Sequence, residues 1–597
     1  PAPKWDLDSI FEGGSSSPAY KKHREDVKSR LEKAEKNLNQ LQTGIDDTTL
    51  NDWAEYILEW QSLGEDIELI LSFAGCLTSQ NTTDSAADAI ENEGMVYYSR
   101  WQKIQATLES LALQQSDENW NKLLADDRIK EIEFFLNEMR KLAKSKMPVE
   151  MESLALELSV NGYHAWDQLY GKMSGELKVD FEENGTTTTM SLGQLATKMS
   201  DGNRDIRKQA FEKMVGAWET RENLASMMLN SMAGFRLSMY ARRGWESATY
   251  EPLKQARMEQ KTLDTMWKVI KDNLHRLKPY IDAKKKLLKI DKFRWYDQFA
   301  PCGNAEKLYA FDEASDFIYE NIRSFSPDMA AFCKLAFDKN WIEAEDRPNK
   351  RGGGFCTGMG KNNQSRIFMT YAGTYENLLT LAHELGHAYH SWVLKDKAPF
   401  AQSYPMNLAE TASTFAEAVV TDAALEQTED AQEKLMLIEQ KLQGAYTFMC
   451  DIHSRYLFDK MFYEKRKNGV LSTQELKDLM VEAQKEAFGD LLDKSGYHPL
   501  FWCTKLHFFF TGAPFYNFAY TFGFMYSGGL YEKAKKEGPS FAAKYDALLA
   551  DTGSMTTEAL SKKHLGVDLT EEEFWKGAVD TALADVDEFV KLVDELS

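Results

Sequence analysis

Residues 383–387 read His-Glu-Leu-Gly-His, and this spacing constrains the chain more than any other feature of it. Two imidazoles four positions apart lie on one side of the chain in an α-helix, where i and i+4 stack one turn above each other. So placed, His383 and His387 can both reach one Zn2+ ion, and Glu384 projects beside a water held there. A fold that uses this pentapeptide must keep it helical, bury the helix's other face and bring a further donor from elsewhere. Leu378, Ala382, Leu385, Tyr389 and Trp392 supply the apolar stripe on a different face. Thr374 and Glu376 suit the helix start, as N-cap and first-turn acid.

A catalytic zinc takes three protein ligands and keeps a fourth position open. The segment from Asn407 to Ala418 reads as a second helix, rich in alanine, with Glu410 and Glu417 seven apart on one face. Glu410 is the expected third ligand. Glu417 is the candidate for holding a ligand histidine from behind. Together these residues form the donor set of a metal-assisted hydrolase with Glu384 as general base.

Helical periodicity dominates the rest. Ser17-Pro18 marks a helix start, and Val27, Leu31, Ala34, Leu38 and Leu41 recur at helical spacing. Similar stretches fill most of residues 50–145. The clearest strand signal is a hairpin: Leu177, Val179 and Phe181 alternate with polar residues, Asn184-Gly185 turns, and Thr186 to Met190 returns. This hairpin is the expected border between an N-terminal helical domain, 1–195, and a catalytic domain, 196–597. A loop over 346–354 ends in Gly352, Gly353 and Gly354, which let backbone approach a ligand closely. Ile367 to Tyr371 reads as a buried strand that could pair with an extended peptide.

Composition excludes several classes of function. With 597 residues and a net charge of -22, the surface repels phosphate backbones and anionic membranes, so neither nucleic acid nor membrane is an expected partner. Leu506 to Tyr526 is long enough for a membrane span. Gly512, Pro514, Asn517 and its tyrosines instead make it an aromatic cleft wall. Six cysteines without a CxxC pair, and an opening without a basic start and apolar run, lead to the expectation of a cytoplasmic protein. Cys356 is read as a small buried residue. His453 and His498 are read as structural, as is His390, which cannot join a site already holding three ligands.

The motifs resemble the oligoendopeptidase F family, relatives of thimet oligopeptidase. The resemblance rests on His383-Glu-Leu-Gly-His-Ala-Tyr-His and Ala409-Glu-Thr-Ala-Ser-Thr-Phe-Ala-Glu. It extends to Trp5-Asp-Leu-Asp-Ser-Ile-Phe, Arg243-Gly-Trp-Glu-Ser and Lys350-Arg-Gly-Gly-Gly-Phe, and so spans nearly the whole chain. It implies a mainly α, two-lobed metallopeptidase with a deep substrate channel and a small β-sheet near the zinc helix. It implies one zinc ion on His383, His387 and Glu410, with short peptides as substrates. It also implies that a histidine and following tyrosines contact substrate and the developing oxyanion. Those positions are similar to His507, Tyr516 and Tyr520, although Thr511 to Pro514 lengthens the spacing, so both tyrosines are candidates. The expected activity is zinc-dependent cleavage of internal bonds of oligopeptides. Glu384 serves as base, His507 and Tyr520 stabilise the oxyanion, and Tyr516, Gly353 and Gly354 contact substrate. The alternatives are a zinc carboxypeptidase or dipeptidase on a similar scaffold and a non-catalytic peptide-binding metalloprotein.

Overall fold

The computed structural model describes residues 2–596 apart from 39–40, 42–43 and 304–306. Helix α1, Pro18–Leu38, begins at the expected proline, which sacrifices no amide hydrogen bond there. The Ser17 hydroxyl accepts from the Tyr20 amide at 3.3 Å. The stripe Val27, Leu31, Ala34 and Leu38 is buried, and Leu41 packs beside the same core after the helix has ended. Helix α2, Leu50–Gln80, carries Trp53, Trp60, Ile67, Ile70 and Phe73 on its buried side.

The predicted hairpin pairs β1, Lys178–Glu183, with β2, Thr186–Ser191. Asn184 and Gly185 have φ of 53° and 74°, the left-handed pair that a two-residue turn of this hand requires. A three-stranded sheet follows in the order β3 (Ile342–Glu343), β5 (Gln364–Phe368), β4 (Phe355–Met359). This placement corrects the expectation for Ile367 to Tyr371. The strand lies three residues earlier and in the middle of the sheet, so β3 and β4 already flank it. The two edge strands are β3 and β4.

Three further helices build the centre: α3, Tyr375–Leu394; α4, Thr411–Gln427; and α5, Asn517–Glu537. The aromatic stretch after Leu506 breaks into a short turn, Leu506–Phe509, and the start of α5. Phe508, Phe509, Phe518 and Phe522 are buried there. Among the described residues no helix is long and apolar enough to cross a membrane.

The fold is helical and two-lobed, with small sheets. One apolar core gathers residues from Trp5 to Met139, and Met359, Phe368, Phe400 and Ala401 plug into it from the distal half of the chain. The larger core runs from Met147 to Val593. Tyr163, Tyr170, Met173 and Leu177 pack in this larger core, ahead of the hairpin.

Helices α3 and α4 cross where a side chain would not fit. A Cβ on Gly386 would lie 2.4 Å from the Ala412 carbonyl oxygen and 2.6 Å from the Ser413 Cα. Gly386→Ala therefore forces the helices apart, an overpacking that costs about 1–3 kcal/mol. Gly216 lies inside a helix with nothing within 4 Å of a new Cβ. Thermal or denaturant unfolding should show Gly386→Ala destabilised and Gly216→Ala unchanged or stabilised by up to about 1 kcal/mol. Equal stability of the two variants would refute the contact.

Candidate metal centre and active site

Helix α3 starts as its sequence dictates. The Thr374 side chain accepts from the Asn377 amide at 3.2 Å, and Glu376 occupies the first turn. Leu378, Ala382, Leu385 and Tyr389 bury the core-facing side, which leaves His383 and His387 half-buried on another. Their Nε2 atoms stand 3.1 Å apart.

Glu410 arrives from a break in what the sequence predicts as one helix. A single turn, Met406–Ala409, ends at Glu410, and α4 starts anew at Thr411. The Ser413 hydroxyl donates to Glu410 Oε2 at 2.7 Å, and the Thr414 hydroxyl donates to its carbonyl at 2.6 Å. Glu410 Oε2 lies 3.3 Å from His383 Nε2 and 3.4 Å from His387 Nε2. On the far side of His383, Nδ1 meets Glu417 Oε1 at 2.5 Å. With the Nδ1 proton donated to that carboxylate, the Nε2 lone pair is free to ligate.

The three converging atoms fit a tetrahedral zinc site. Their separations match the edge of a tetrahedron whose corners lie about 2.0 Å from its centre, the usual zinc–nitrogen distance. Two imidazoles and one carboxylate are also the donor types of catalytic zinc. Glu384 adds a second sign of fit: it is buried, and its Oε2 has no hydrogen-bond partner.

The charges explain one another. Burial works against protonated His383, but Glu417, then Glu410 and Glu384, outweigh it and raise its pKa to about 9. Burial likewise opposes ionised Glu410, but His387, His383 and Ser413 outweigh it and hold the carboxyl at about 2. Glu384 is pushed above the ordinary carboxylate range by burial, which the two histidines only partly counter. The carboxylates lean on the imidazoles, a role that a divalent cation would take over.

Two cavities adjoin the ligands. The first, about 710 Å3, holds His383, Glu384, His387, Glu410, Gly354 and the whole of β4. Gly353 takes φ 96°, and a Cβ on Gly354 would sit 3.5 Å from Glu384 Oε1 and 3.2 Å from the Phe368 carbonyl. Cys356 is half-buried on β4 in this cavity, not fully buried as its sequence context predicts. Glu65 and Glu68 of α2 line the same cavity, and nothing in the sequence marks them, because α2 meets the site only through the tertiary fold.

His507, Tyr516 and Tyr520 are brought together. The Tyr520 hydroxyl lies 3.4 Å from His507 Nε2 and donates to the Tyr516 hydroxyl at 3.2 Å. Tyr520 lines the second cavity, about 450 Å3, together with His383, Glu410 and Glu417. A Cβ on Gly523, one turn along α5, would lie 3.0 Å from Glu410 Cβ, so α5 presses directly on the ligand. Burial, then Tyr516 and Glu410, raises the Tyr520 pKa, so the phenol remains a donor. Burial, then Arg455 and Lys505, lowers His507 to about 4, leaving it neutral near pH 7. His390 stacks on Tyr404, and His453 on Trp267, at centroid distances of 4.1 and 4.4 Å. Both are buried, as is His498.

The model of Peptidase family M3 matches residues 197–580, and that of the Oligopeptidase F N-terminal region matches 113–178. The chain belongs to peptidase family M3, on its oligoendopeptidase F side. It is 23% identical over 603 residues to an oligoendopeptidase F homolog of Lactococcus lactis subsp. lactis, covering 99% of this chain and 97% of that one. The chromosomal oligoendopeptidase F of Lactococcus lactis subsp. cremoris is 25% identical over 71% of this chain and 70% of its own. The fold is shared with the crystal structure of oligoendopeptidase-F from Enterococcus faecium, at a TM-score of 0.70 and 19% identity, covering 97% and 98% of the two chains.

The geometry ranks the two glutamates of α4 and its approach. If the three converging atoms hold a metal, Glu410→Ala would remove a metal bond, whereas Glu417→Ala would remove an outer contact, a loss of about 10- to 100-fold in affinity. Chelator competition should show zinc lost far more readily from Glu410→Ala. The opposite order would mean that Glu417 is the ligand.

Proposed function

We propose that the protein is a zinc-dependent endopeptidase of short oligopeptides, with one ion held by His383, His387 and Glu410. The observation that carries this reading is the triangle of two Nε2 atoms and one Oε2 with the unpaired Glu384 oxygen beside it. Zinc, when bound, supplies a polarised substrate carbonyl and lowers the pKa of a water to about 7. Glu384 accepts the proton of the attacking water and passes it to the leaving amine. Its burial suits both halves of that task, since a carboxyl with a raised pKa both takes and returns a proton. Glu417 holds the Nδ1 proton of His383 and fixes the ring. Tyr520 donates to the oxyanion, backed by His507 and Tyr516. The free edge of β4 orients an extended peptide, and Gly353 and Gly354 let its backbone pass close to Glu384.

We also propose a catalytic unit over 196–597, supported by the family match that begins at 197, and an N-terminal helical unit over 1–195 whose α2 walls the first cavity. Met147, Tyr163, Tyr170, Met173 and Leu177 of that N-terminal unit pack in the larger core. A cytoplasmic location fits the six unpaired cysteines.

Two experiments test the chemistry and the substrate class. Glu384→Gln should retain one zinc per chain and lose most turnover, and Tyr520→Phe should lower kcat about 10²- to 10³-fold with little change in KM. Near-normal rates in Glu384→Gln, or loss of its zinc, would remove the assigned base. With unstructured peptides of graded length and one stable folded protein, cleavage should be confined to the shorter peptides. A folded chain must open locally before its backbone can enter a cavity, at a cost up to its global stability. Rapid digestion of the folded control would exclude an oligopeptidase.

A further inference from the structure

Thr511 to Pro514 lengthen the spacing between His507 and the tyrosines, and in the folded chain they belong to a segment that is gripped from two sides. They follow the turn Leu506–Phe509 and lead into α5, so residues 510–516 join His507 to Tyr516 and Tyr520. Arg236, buried in the helix Glu222–Arg243, holds the start of this segment. Its Nη2 donates to the Phe510 carbonyl at 2.5 Å and to the Thr511 carbonyl at 3.4 Å, and its Nη1 donates to the Tyr463 hydroxyl at 2.8 Å.

The second grip comes from the helix Tyr163–Glu176, which precedes the hairpin. The Tyr163 hydroxyl donates to the same Thr511 carbonyl at 3.0 Å, and the Arg236 guanidinium lies 5.4 Å from the centre of its ring. The Thr511 hydroxyl stands 2.9 Å from His164 Nδ1 and donates to Asp167 Oδ2 at 3.3 Å. At the other end of the segment, buried Phe515 takes φ 54°, a left-handed backbone that a bulky side chain rarely adopts. Its ring packs on Tyr463 with centroids 5.1 Å apart. Tyr463 thus touches both ends, Arg236 through its hydroxyl and Phe515 through its ring. Burying a guanidinium is costly unless its N–H groups are bonded, and those of Arg236 bond the backbone of this segment. Its planar fork reaches two carbonyls and a phenol at once, which a lysine ammonium on a flexible stem does not match.

We propose that Arg236, working with Tyr463 and Tyr163 through the carbonyls of Phe510 and Thr511, is a positioning residue that sets His507, Tyr516 and Tyr520 for the oxyanion. The inference rests on the oxyanion role given to Tyr520 above. His507 and Tyr516 stack with centroids 5.4 Å apart, and the Tyr520 hydroxyl reaches both, so a shift of the segment between them moves the donors together. Tyr163, His164 and Asp167 lie ahead of residue 197, where the family M3 match begins, so the N-terminal unit takes part in placing groups of the catalytic one.

The test compares zinc-loaded wild type, Arg236→Met, Tyr520→Phe and the double variant on one octapeptide. Arg236→Met should lower kcat about 10²-fold, the loss that a misplacement of about 1 Å produces, with KM little changed. In the double variant the two losses should overlap instead of multiplying, because Arg236 then has no Tyr520 hydroxyl to place. A phosphinic peptide with the tetrahedral shape of the intermediate should bind Arg236→Met more weakly than wild type. The octapeptide itself, measured by calorimetry, should bind Glu384→Gln equally well with and without Arg236→Met. Metal content and unfolding midpoints verify each variant. If Arg236→Met fails to fold, Tyr163→Phe removes a single hydroxyl and enters the same cycle, with a loss in kcat of up to about tenfold. Normal kcat in the folded variant, a loss confined to KM, or losses that multiply in the double variant would overturn the inference. If Tyr520→Phe turns over like the wild type, the oxyanion assignment falls instead. Amide exchange across 507–520 then decides whether Arg236 fixes the segment: it should be faster in Arg236→Met, and unchanged exchange would refute the grip.

Discussion

At Gly386 the motif helix and the glutamate helix touch backbone to backbone, and the site depends on that contact. The missing Cβ lets α3 settle against Ala412 and Ser413. Glu410 lies just ahead of this point and Glu417 just beyond it, so the same crossing delivers a ligand to both Nε2 atoms and a carboxylate to the Nδ1 of His383. Gly523 repeats the device from α5, which comes close enough to Glu410 to set Tyr520 in a cavity shared with the ligands. Three helices distant in sequence thus converge through two residues that lack side chains, and packing at such contacts tolerates little added volume.

That convergence concentrates charge. Glu384, Glu410 and Glu417 face two imidazoles in a half-buried space, where water cannot screen them fully. The opposed shifts of His383 and Glu410 are two sides of one arrangement, in which each group stabilises the charged form of the other. A divalent cation there would relieve the excess of carboxylate and leave Glu384 next to it without a committed partner. At the break between Met406–Ala409 and α4, the Glu410 carbonyl accepts from Thr414 and its carboxylate lies beside both histidines.

The surroundings of the ligands come from both lobes. Helix α2 of the smaller core presents Glu65 and Glu68 across the first cavity from α3. Met359 and Phe368 of the sheet anchor in that smaller core, so the strand beside Glu384 is held by the opposite lobe. The second cavity is built wholly on the side of the larger core, from α3, α4, α5 and the segments near Leu437 and Ala578.

The sequence by itself determined the local chemistry. His383, Glu384 and His387 are legible because helical spacing alone puts two imidazoles on one face, and Glu410 and Glu417 because carboxylates on an apolar helix demand a partner. The α1 stripe and the Asn184-Gly185 turn follow from the same short-range rules. Only the tertiary structure decided the rest. It moved the predicted strand of 367–371 to the middle of the sheet and left β3 and β4 at its edges, because pairing order depends on contacts that no local pattern records. It brought Tyr520 into a cavity shared with His383 and Glu410, and within hydrogen-bond reach of Tyr516, through the approach of α5. It brought Glu65 and Glu68 to the site from some three hundred residues away. Motifs are short-range and survive in the linear chain, whereas cavities are surfaces between elements and exist only after those elements have packed.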